Sequence, residues 1–269
     1  MRPKHPYGKP DKNLAWKQWV QMVNILSSEM GIKVKFTDPQ PNLYDMAFAC
    51  DPGLWINDIF IASNFWAKPR QPEAEYFKAW FRNQGIQVME LSPDAYFEGG
   101  DCLFADNKLL IGWGNNRTNQ QGILEIKKVL EPRGVPVIPI RRITEEFYHL
   151  NSVMAHYPSV GILAYYSPAF EIDTRKIIES NFPSAKIFAL SNDEAMRHHP
   201  AFGDEYIYSY TLNSIERNGK VIMPYCSSKL HEFLSDAGLR VIVPESGSSE
   251  FERSGGSYRC LTMIHNKTK

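Results

Sequence analysis

Apolar and polar positions along the chain alternate between helical and strand-like spacing. In residues 13–30 apolar side chains recur near helical spacing and Gly31 follows them, a pattern that predicts an amphipathic helix and its end. Residues 32–36 then alternate apolar side chains with lysine, as a half-buried strand does. The first repeat of the pattern is therefore a helix followed by a strand.

Four further repeats of strand, helix and strand follow along the chain. The predicted strands are 59–65, 86–89, 109–112, 135–140, 159–166, 186–190, 206–212, 220–223 and 239–243, with helices at 73–83, 121–130, 173–181 and 227–237. A period of roughly fifty residues lies in the range of propeller-like folds. A doubly wound α/β sheet gives the same alternation, so the periodicity leaves both architectures open.

Composition and charge indicate a packed globular protein that recognises its partner through a local site. The 269 residues are 43% hydrophobic with no compositional seam, so we expect a single domain, residues 1–269. Thirty basic residues balance thirty acidic ones, which leaves no basic field for nucleic acid or an anionic membrane. No apolar run is long enough to cross a bilayer, and residues 1–6 lack a signal core, so we expect a cytoplasmic protein.

One of the cysteines is a candidate nucleophile. The chain has four, none in a CxxC pair: Cys50, Cys102, Cys226 and Cys260. This scatter suggests neither a zinc site nor a disulfide scaffold. The first three have bulky neighbours, as buried structural cysteines do, whereas Cys260 follows a glycine pair and Arg259, where a thiolate can be stabilised. The alternative for Cys260 is a fourth structural cysteine.

Glu98 and His149 are candidates for acid/base and cation-binding roles. Glu98 and Asp101 enclose a glycine pair, which would let a substrate approach the backbone while Glu98 accepts hydrogen bonds from a planar cation. A solvated turn is the alternative. His149 lies between aromatic and aliphatic residues and is either an acid/base group or a satisfied core histidine. No histidine has metal-ligand spacing, so no metal site is expected.

Two aspartates and two arginines complete the set of candidates. Asp45 and Asp51 are six positions apart around a strand-like segment, 46–50, and positions an even number apart in a strand share a face. Both could contact one ligand, or both could cap turns. Arg117, in the segment 112–118, could anchor a substrate carboxylate, and Arg70 is a weaker candidate for the same role. Ordinary exposed arginines are the alternative.

Taken in order, these motifs resemble those of the guanidine-modifying superfamily, which includes dimethylarginine dimethylaminohydrolases, arginine deiminases and amidinotransferases. The matching segments are 45–53, 69–73, 97–101, 112–118, 147–152 and 255–262. The resemblance covers residues 14–264 and looks closest to bacterial dimethylarginine dimethylaminohydrolase-like proteins. It implies a pentein fold, a five-bladed α/β propeller of ββαβ units, which agrees with the five repeats.

The resemblance also implies a mechanism without metal or organic cofactor. Cys260 resembles the family's nucleophile, His149 its general acid/base, and Glu98 the carboxylate that orients the histidine and binds guanidinium. The pKa of a free thiol is about 8.5, and a neighbouring guanidinium cation would favour the thiolate. Attack on the guanidinium carbon would give a thiouronium as His149 protonates the departing amine, and His149 would then activate water.

The remaining candidates match substrate-binding positions of the family. Asp51 looks like the acid that holds the guanidinium nitrogens, Asp45 like one that contacts the substrate's amino end, and Arg70 and Arg117 like arginines near its carboxylate. Asn151 stands where many relatives have an aspartate, which disfavours an arginine deiminase. Arginine dihydrolases have asparagine at the position of Asp51, so this aspartate argues mildly against their activity.

The sequence thus predicts an amidine hydrolase that cleaves a C–N bond of arginine or an N-methylarginine to a ureido product, citrulline. The predicted partner is a small guanidino substrate, and a homodimer is compatible with this prediction. Three alternatives stay open. They are an amidinotransferase that passes the amidino group to an amine, an arginine dihydrolase, and a non-catalytic guanidine-binding homologue.

Overall fold

The computed structural model describes residues 9–114, 117–142 and 147–268, which form a mixed α/β chain. The α-helices are α1 (Lys12–Asn24), α2 (Gln71–Asn83), α3 (Gln120–Leu130), α4 (Ile172–Asn181), α5 (Asn192–Ala195), α6 (Ser228–Asp236) and α7 (Ser249–Glu252). The strands are β1 (Gly53–Ile56), β2 (Ile59–Ala62), β3 (Gln87–Met89), β4 (Cys102–Ala105), β5 (Lys108–Trp113), β6 (Val137–Arg141), β7 (Met154–Tyr157), β8 (Ile162–Tyr166), β9 (Lys186–Leu190), β10 (Met196–His199), β11 (Glu205–Tyr208), β12 (Ile215–Arg217), β13 (Lys220–Ile222), β14 (Arg240–Ile242) and β15 (His265–Asn266).

One strand arrangement recurs four times in the described residues. An antiparallel hairpin is followed by a helix and then by a third strand parallel to the second, because a helical crossover returns the chain in the same direction. The four sets are β1-β2-β3, β4-β5-β6, β7-β8-β9 and β12-β13-β14. Strand β15 adds to the first set by pairing parallel with β1. Four of the five predicted repeats therefore have the ββαβ order, and the first, residues 13–36, does not.

The chain divides into two compact units. The first comprises residues up to 37, 152–168 and 183–259, and the second comprises residues 38–151, 169–182 and 260 onward. In the first unit, Asp11 caps the N-terminus of α1, since its carboxylate accepts the backbone N–H groups of Asn13 and Leu14. The buried side chain of Gln18 on α1 donates to the carbonyl of Ser246 and the hydroxyl of Ser249. The polar group that α1 buries is therefore satisfied.

The second unit is built around β2, which is buried on both faces. Alternate side chains of a strand point to opposite faces. Ile59 and Ile61 lie in one hydrophobic cluster with residues of β5 and α3. Phe60 and Ala62 lie in a second cluster, where the ring of Phe60 stacks on Phe81 of α2 at 3.9 Å between centroids. This two-sided packing explains why the predicted strand contains an uninterrupted apolar run.

The structure corrects two of the predicted elements and adds a strand that was not predicted. Residues 32–36 are not a strand, because no described strand pairs with them, although Ile32 and Val34 are half-buried. Residues 46–50 form turns: Phe48 donates its N–H to the carbonyl of Asp45, and Asp51 donates to that of Phe48. The segment at 196–199, where the pattern predicts no strand, is β10, paired with β11. Alternation predicts a possible strand face, but only a partner completes the strand.

The predicted helices agree closely with the structure. The first is α1 followed by one π-helical segment, Ile25–Glu29, and the other four begin and end within a few residues of the predicted bounds. The pattern gave no sign of the short strands β1, β7 and β12, which are three or four residues long. No helix in the described parts of the chain has the length and apolar character that a membrane crossing requires.

Truncating Ile111 in the centre of β5 should destabilise the protein strongly. Its side chain is fully buried in the core of the second unit. We expect Ile111→Ala to lower the free energy of unfolding by about 2–5 kcal/mol, measured by urea denaturation. Leu124→Ala on α3, where the side chain is 52% exposed, is the control and should change it by less than about 0.5 kcal/mol. Equal losses in the two variants would contradict this description of the core.

Candidate active site

The pairing of β15 with β1 brings two distant parts of the sequence together. Asp51 lies just before β1, and Cys260 lies just before β15. Because the two strands are parallel, with Trp55 opposite His265, the segments that lead into them lie side by side. The backbone N–H of Cys50 donates to the carbonyl of Cys260 at 3.1 Å. Cys260 therefore lies in the second unit, beside the segment that carries Asp51, the aspartate predicted to bind guanidinium.

The glycine pair after Glu98 is required by close packing. The N–H of Gly99 donates to the carbonyl of Asp51 at 2.9 Å. A Cβ atom on Gly99 would collide with the carbonyls of Cys50 and Gly53, and one on Gly100 would lie 2.5 Å from His149 Nδ1. The expectation that these glycines admit a substrate was therefore wrong, since protein atoms occupy the space.

His149 lies between two carboxylates. Its Nε2 is 2.8 Å from Glu98 Oε2, and its Nδ1 is 3.4 Å from Asp51 Oδ1. The histidine is 1% exposed and Glu98 is fully buried. Burial alone lowers the pKa of His149, but the charge of Asp51, the hydrogen bond to Glu98 and the charges of Glu98 and Asp101 outweigh it and raise this pKa. The geometry thus favours a protonated imidazolium.

Asp51 is held as a carboxylate by several donors. Its Oδ2 accepts from Arg70 Nη1 at 2.5 Å, and its Oδ1 accepts from the thiol of Cys50 at 3.1 Å. Burial raises the pKa of Asp51, but His149 and Arg70, together with the hydrogen bonds from Arg70 and Cys50, outweigh burial and lower it. The side chain is therefore an acceptor for cations on two sides.

Arg70 is buried beneath protein acceptors. Its guanidinium donates to Asp51 through Nη1, to Glu73 through Nε and Nη2, and to the carbonyl of Asp45 through Nη2. It also lies 4.7 Å from the ring centroid of Phe65. Burial raises the pKa of Glu73 despite the opposing effect of Arg70. Asp45 takes part through its backbone, while the residue as a whole is exposed.

Arg117 binds Glu98 in this structure. Its Nη1 is 3.2 and 3.3 Å from the two oxygens of Glu98, and its guanidinium lies 4.9 Å from the ring centroid of Tyr148. The planar cation on Glu98 is thus a side chain of the protein, and the binding of a substrate guanidinium by Glu98 stays a prediction. Asn115 and Asn116, which belong to the same predicted motif, lie outside the described residues.

Asn151 links Cys260 to the rest of the cluster. The Sγ of Cys260 is 3.6 Å from Asn151 Oδ1, and Asn151 Nδ2 donates to the Sγ of Cys50 at 3.1 Å. All three side chains are buried. Cys260, His149, Glu98, Asp51, Arg70 and Arg117 therefore lie in one unit and share contacts directly or through a neighbour.

Asp101 and Arg142 are buried at the edge of this cluster, and neither is among the predicted site residues. Asp101 accepts hydrogen bonds from Arg142, from the hydroxyl of Thr118 at 2.6 Å and from the N–H of Leu150 at 3.1 Å. The last contact fixes the backbone next to His149. The position of Asp101 directly after the glycine pair could have marked it as a site residue, whereas nothing in the sequence distinguishes Arg142. Within residues 9–114, 117–142 and 147–268 no cluster of histidine, cysteine and carboxylate side chains forms a metal site.

The paired His149 should make stability depend on pH. A raised pKa stabilises the fold fully below the pKa of unfolded histidine, about 6.5, and this contribution is lost as pH rises through the folded value. We expect the urea midpoint to fall as pH increases above about 6.5. For Asp51, whose pKa is lowered, stability should instead fall with acidification below about 3.9.

The variant His149→Gln identifies the group responsible for the alkaline part of this profile. In His149→Gln the urea midpoint should fall less steeply above pH 6.5. In His231→Gln, at an exposed position on α6, the midpoint should fall as it does in the unchanged protein. An unchanged slope in His149→Gln would assign the pH dependence to another group.

The chain is similar to several known proteins. A family model described as arginine deiminase matches residues 20–166. The bifunctional arginine dihydrolase/ornithine cyclodeaminase ArgZ of Synechocystis is 33% identical over 258 residues, which are 95% of this chain and 34% of ArgZ. The dimethylarginine dimethylaminohydrolase of Mycobacterium tuberculosis is 26% identical, over 95% of this chain and 77% of that protein.

A solved structure is also similar over almost the whole chain. It is the N-terminal domain of ArgZ covalently bound to a reaction intermediate, with a TM-score of 0.84 and 31% identity over 96% of this chain and 88% of that one. The chain spans about a third of the length of the first curated relatives that it matches. The match to the family model over more than half of the chain confirms the resemblance, and the chain belongs to the arginine deiminase family of guanidine-modifying, pentein-type proteins.

Proposed function

We propose that the protein is an amidine hydrolase that cleaves a C–N bond of arginine or an N-methylarginine to citrulline and ammonia or an amine. The observation that carries this proposal is the buried cluster in which His149 is paired with Glu98 and Asp51, next to the Asn151 that contacts Cys260. A nucleophile, an acid/base group and two carboxylates for a cation are the parts that this reaction needs.

Cys260 and His149 would carry the covalent steps. The Cys260 sulfur would bond to the guanidinium carbon, and the C–N bond to the leaving amine would break as His149 protonates that amine. The resulting thiouronium would be attacked by water, which loses a proton to His149. The C–S bond would then break and release the ureido product and the free thiol. The similar ArgZ domain, solved covalently bound to a reaction intermediate, supports a covalent route.

Glu98 and Asp51 would bind the substrate guanidinium. At present each holds an arginine of the protein, Arg117 on Glu98 and Arg70 on Asp51. Arg117 is the more accessible of the two, so we propose that a substrate guanidinium displaces it from Glu98 and that it then binds the substrate carboxylate. Arg70 is 7% exposed and bound to three acceptor residues, which supports a role in holding Asp51.

Two of the predicted substrate contacts stay predictions. The role of Asp45 at the substrate's amino end would use its exposed side chain, which lies beside the carbonyl that accepts from Arg70. For Arg70 to bind the substrate carboxylate, as predicted, it would have to give up a hydrogen bond to one of its present acceptors.

We also keep the finer architectural predictions as proposals. The four ββαβ sets support a five-bladed α/β propeller in which residues 1–269 form one catalytic domain. A cytoplasmic location and a homodimer are part of the same proposal. Cell fractionation and analytical ultracentrifugation test these two points.

Incubation with arginine and with N-methylated arginines tests the proposed reaction directly. We expect citrulline, and we expect Cys260→Ser to lower kcat by about 10³-fold or more, because it removes the nucleophile. Acid-quenched protein should carry a covalent mass that Cys260→Ser lacks. Cys226→Ser, in the first unit, is the control and should keep its activity. If no guanidino compound yields a ureido product, the proposal is wrong.

Product analysis separates the alternatives. An arginine dihydrolase, the activity named for ArgZ, would hydrolyse the second C–N bond and leave ornithine. An amidinotransferase would yield an amidino-amine when glycine or another amine is added, which mass spectrometry detects. A non-catalytic homologue would bind arginine without product.

Replacing Arg117 tests its proposed contact with the substrate carboxylate. We expect Arg117→Gln to raise KM for arginine about tenfold, because a charge-assisted hydrogen bond is lost. KM for agmatine, which lacks the carboxylate, should change little or fall as Glu98 is freed. Arg133→Gln, in the exposed turn after α3, is the control. Equal effects on arginine and agmatine would contradict this role for Arg117.

A further inference from the structure

We propose that Cys50 is a positioning residue whose thiol fixes the orientation of the Asn151 amide, so that the amide presents its carbonyl oxygen to the reacting centre at Cys260. Four buried side chains form one hydrogen-bonded row: Asp51, Cys50, Asn151 and Cys260. The inference rests on the proposed function, because it concerns how the same site receives a guanidinium.

The direction of the row is set at Asp51. This carboxylate is held ionised, since the opposing effects of His149 and Arg70 outweigh burial and lower its pKa. An ionised carboxylate can only accept hydrogen bonds. The contact of 3.1 Å between Cys50 Sγ and Asp51 Oδ1 therefore uses the thiol proton of Cys50.

Cys50 passes this direction on to Asn151. A thiol has one proton, so once it points to Asp51 the sulfur faces Asn151 with lone pairs alone. The amide nitrogen, a donor, must then be the atom on the Cys50 side, at the observed 3.1 Å. The carbonyl oxygen is left on the Cys260 side, 3.6 Å from its Sγ.

The backbone and the burial keep this arrangement fixed. The N–H of Cys50 donates to the carbonyl of Cys260 at 3.1 Å, which ties the second member of the row to the last. Cys50 and Asn151 are 2% and 1% exposed, so water does not compete for their polar atoms. A reversed amide would place an oxygen against a sulfur without a proton, which leaves buried polar groups unpaired.

The consequence is an acceptor close to the point of attack. A guanidinium carbon in position for attack lies about 3–3.5 Å from the sulfur, and its N–H groups surround that carbon. The Oδ1 of Asn151 would accept one of these N–H groups, whereas a reversed amide would present N–H donors to a cation that carries only donors. Cys50, which touches no substrate itself, would thereby strengthen guanidinium binding.

The inference is tested by measuring arginine affinity with Cys50 and Asn151 changed singly and together. Calorimetry in a Cys260→Ala background gives Kd without turnover, and kinetics with Cys260 intact give KM and kcat. We expect Cys50→Ala to raise Kd and KM about tenfold with a smaller change in kcat. The serine of Cys50→Ser can still donate to Asp51 and accept from Asn151, so its Kd and KM should stay within about threefold of those with Cys50 unchanged.

The decisive comparison uses Asn151→Asp. A carboxylate has two equivalent oxygens, so its orientation needs no partner, and in this background Cys50→Ala should raise Kd by less than about threefold. Cys102→Ala removes another buried thiol of the second unit, outside the row, and controls for lost volume. If Cys50→Ala does not fold, Cys50→Val fills the site without polar atoms and should show the same background dependence.

Each outcome counts for or against the positioning role. Equal losses in the Asn151 and Asn151→Asp backgrounds would assign Cys50 to packing alone, and no loss in either would deny it any role. If Cys260→Ala binds arginine but the intact protein forms no product, the proposed reaction is wrong while the Kd comparison still decides the role of Cys50. Failure of Cys260→Ala to bind any guanidino compound would overturn both.

Discussion

The ion pairing of His149 with Glu98 and Asp51 is the interaction on which the rest of the site depends. Burying a charge is costly unless opposite charge and hydrogen bonds accompany it. Here two carboxylates hold one imidazolium, and each carboxylate also meets an arginine. Removing any one member would leave a buried neighbour without one of its partners.

This charge arrangement explains several local features of the backbone. Gly100 is a glycine because a larger residue would collide with His149 and Asp51. Asp101, one position further on, accepts the N–H of Leu150 and so fixes the chain beside the histidine. The turns at 46–50 replace the predicted strand, since Asp45 must turn its carbonyl toward Arg70 while Asp51 turns its side chain toward His149. These contacts hold the loops around His149 in place.

The site also contains guanidinium groups of its own. Arg70 and Arg117 bind the two carboxylates that the sequence assigns to a substrate guanidinium. A substrate guanidinium that bound these carboxylates would therefore have to displace at least one of the two arginines. Because both partners are planar cations with similar donors, such an exchange conserves charge within a buried space. A neutral substrate would not displace the arginines from these carboxylates and would gain little binding energy from them.

The sequence by itself determined the helices α1, α2, α3, α4 and α6, most strands of the ββαβ repeats, the family and the identity of Cys260, His149, Glu98 and Asp51 as the candidate residues. These follow from local periodicity and from residue types at particular places in short motifs. Only the tertiary structure decided that residues 32–36 have no strand partner, that Arg70 and Arg117 bind Asp51 and Glu98, and that Cys50 lies between Asp51 and Asn151. Apart from the adjacent Cys50 and Asp51, these partners are far apart in the sequence. They become neighbours only when β1 and β15 pair and the surrounding core packs.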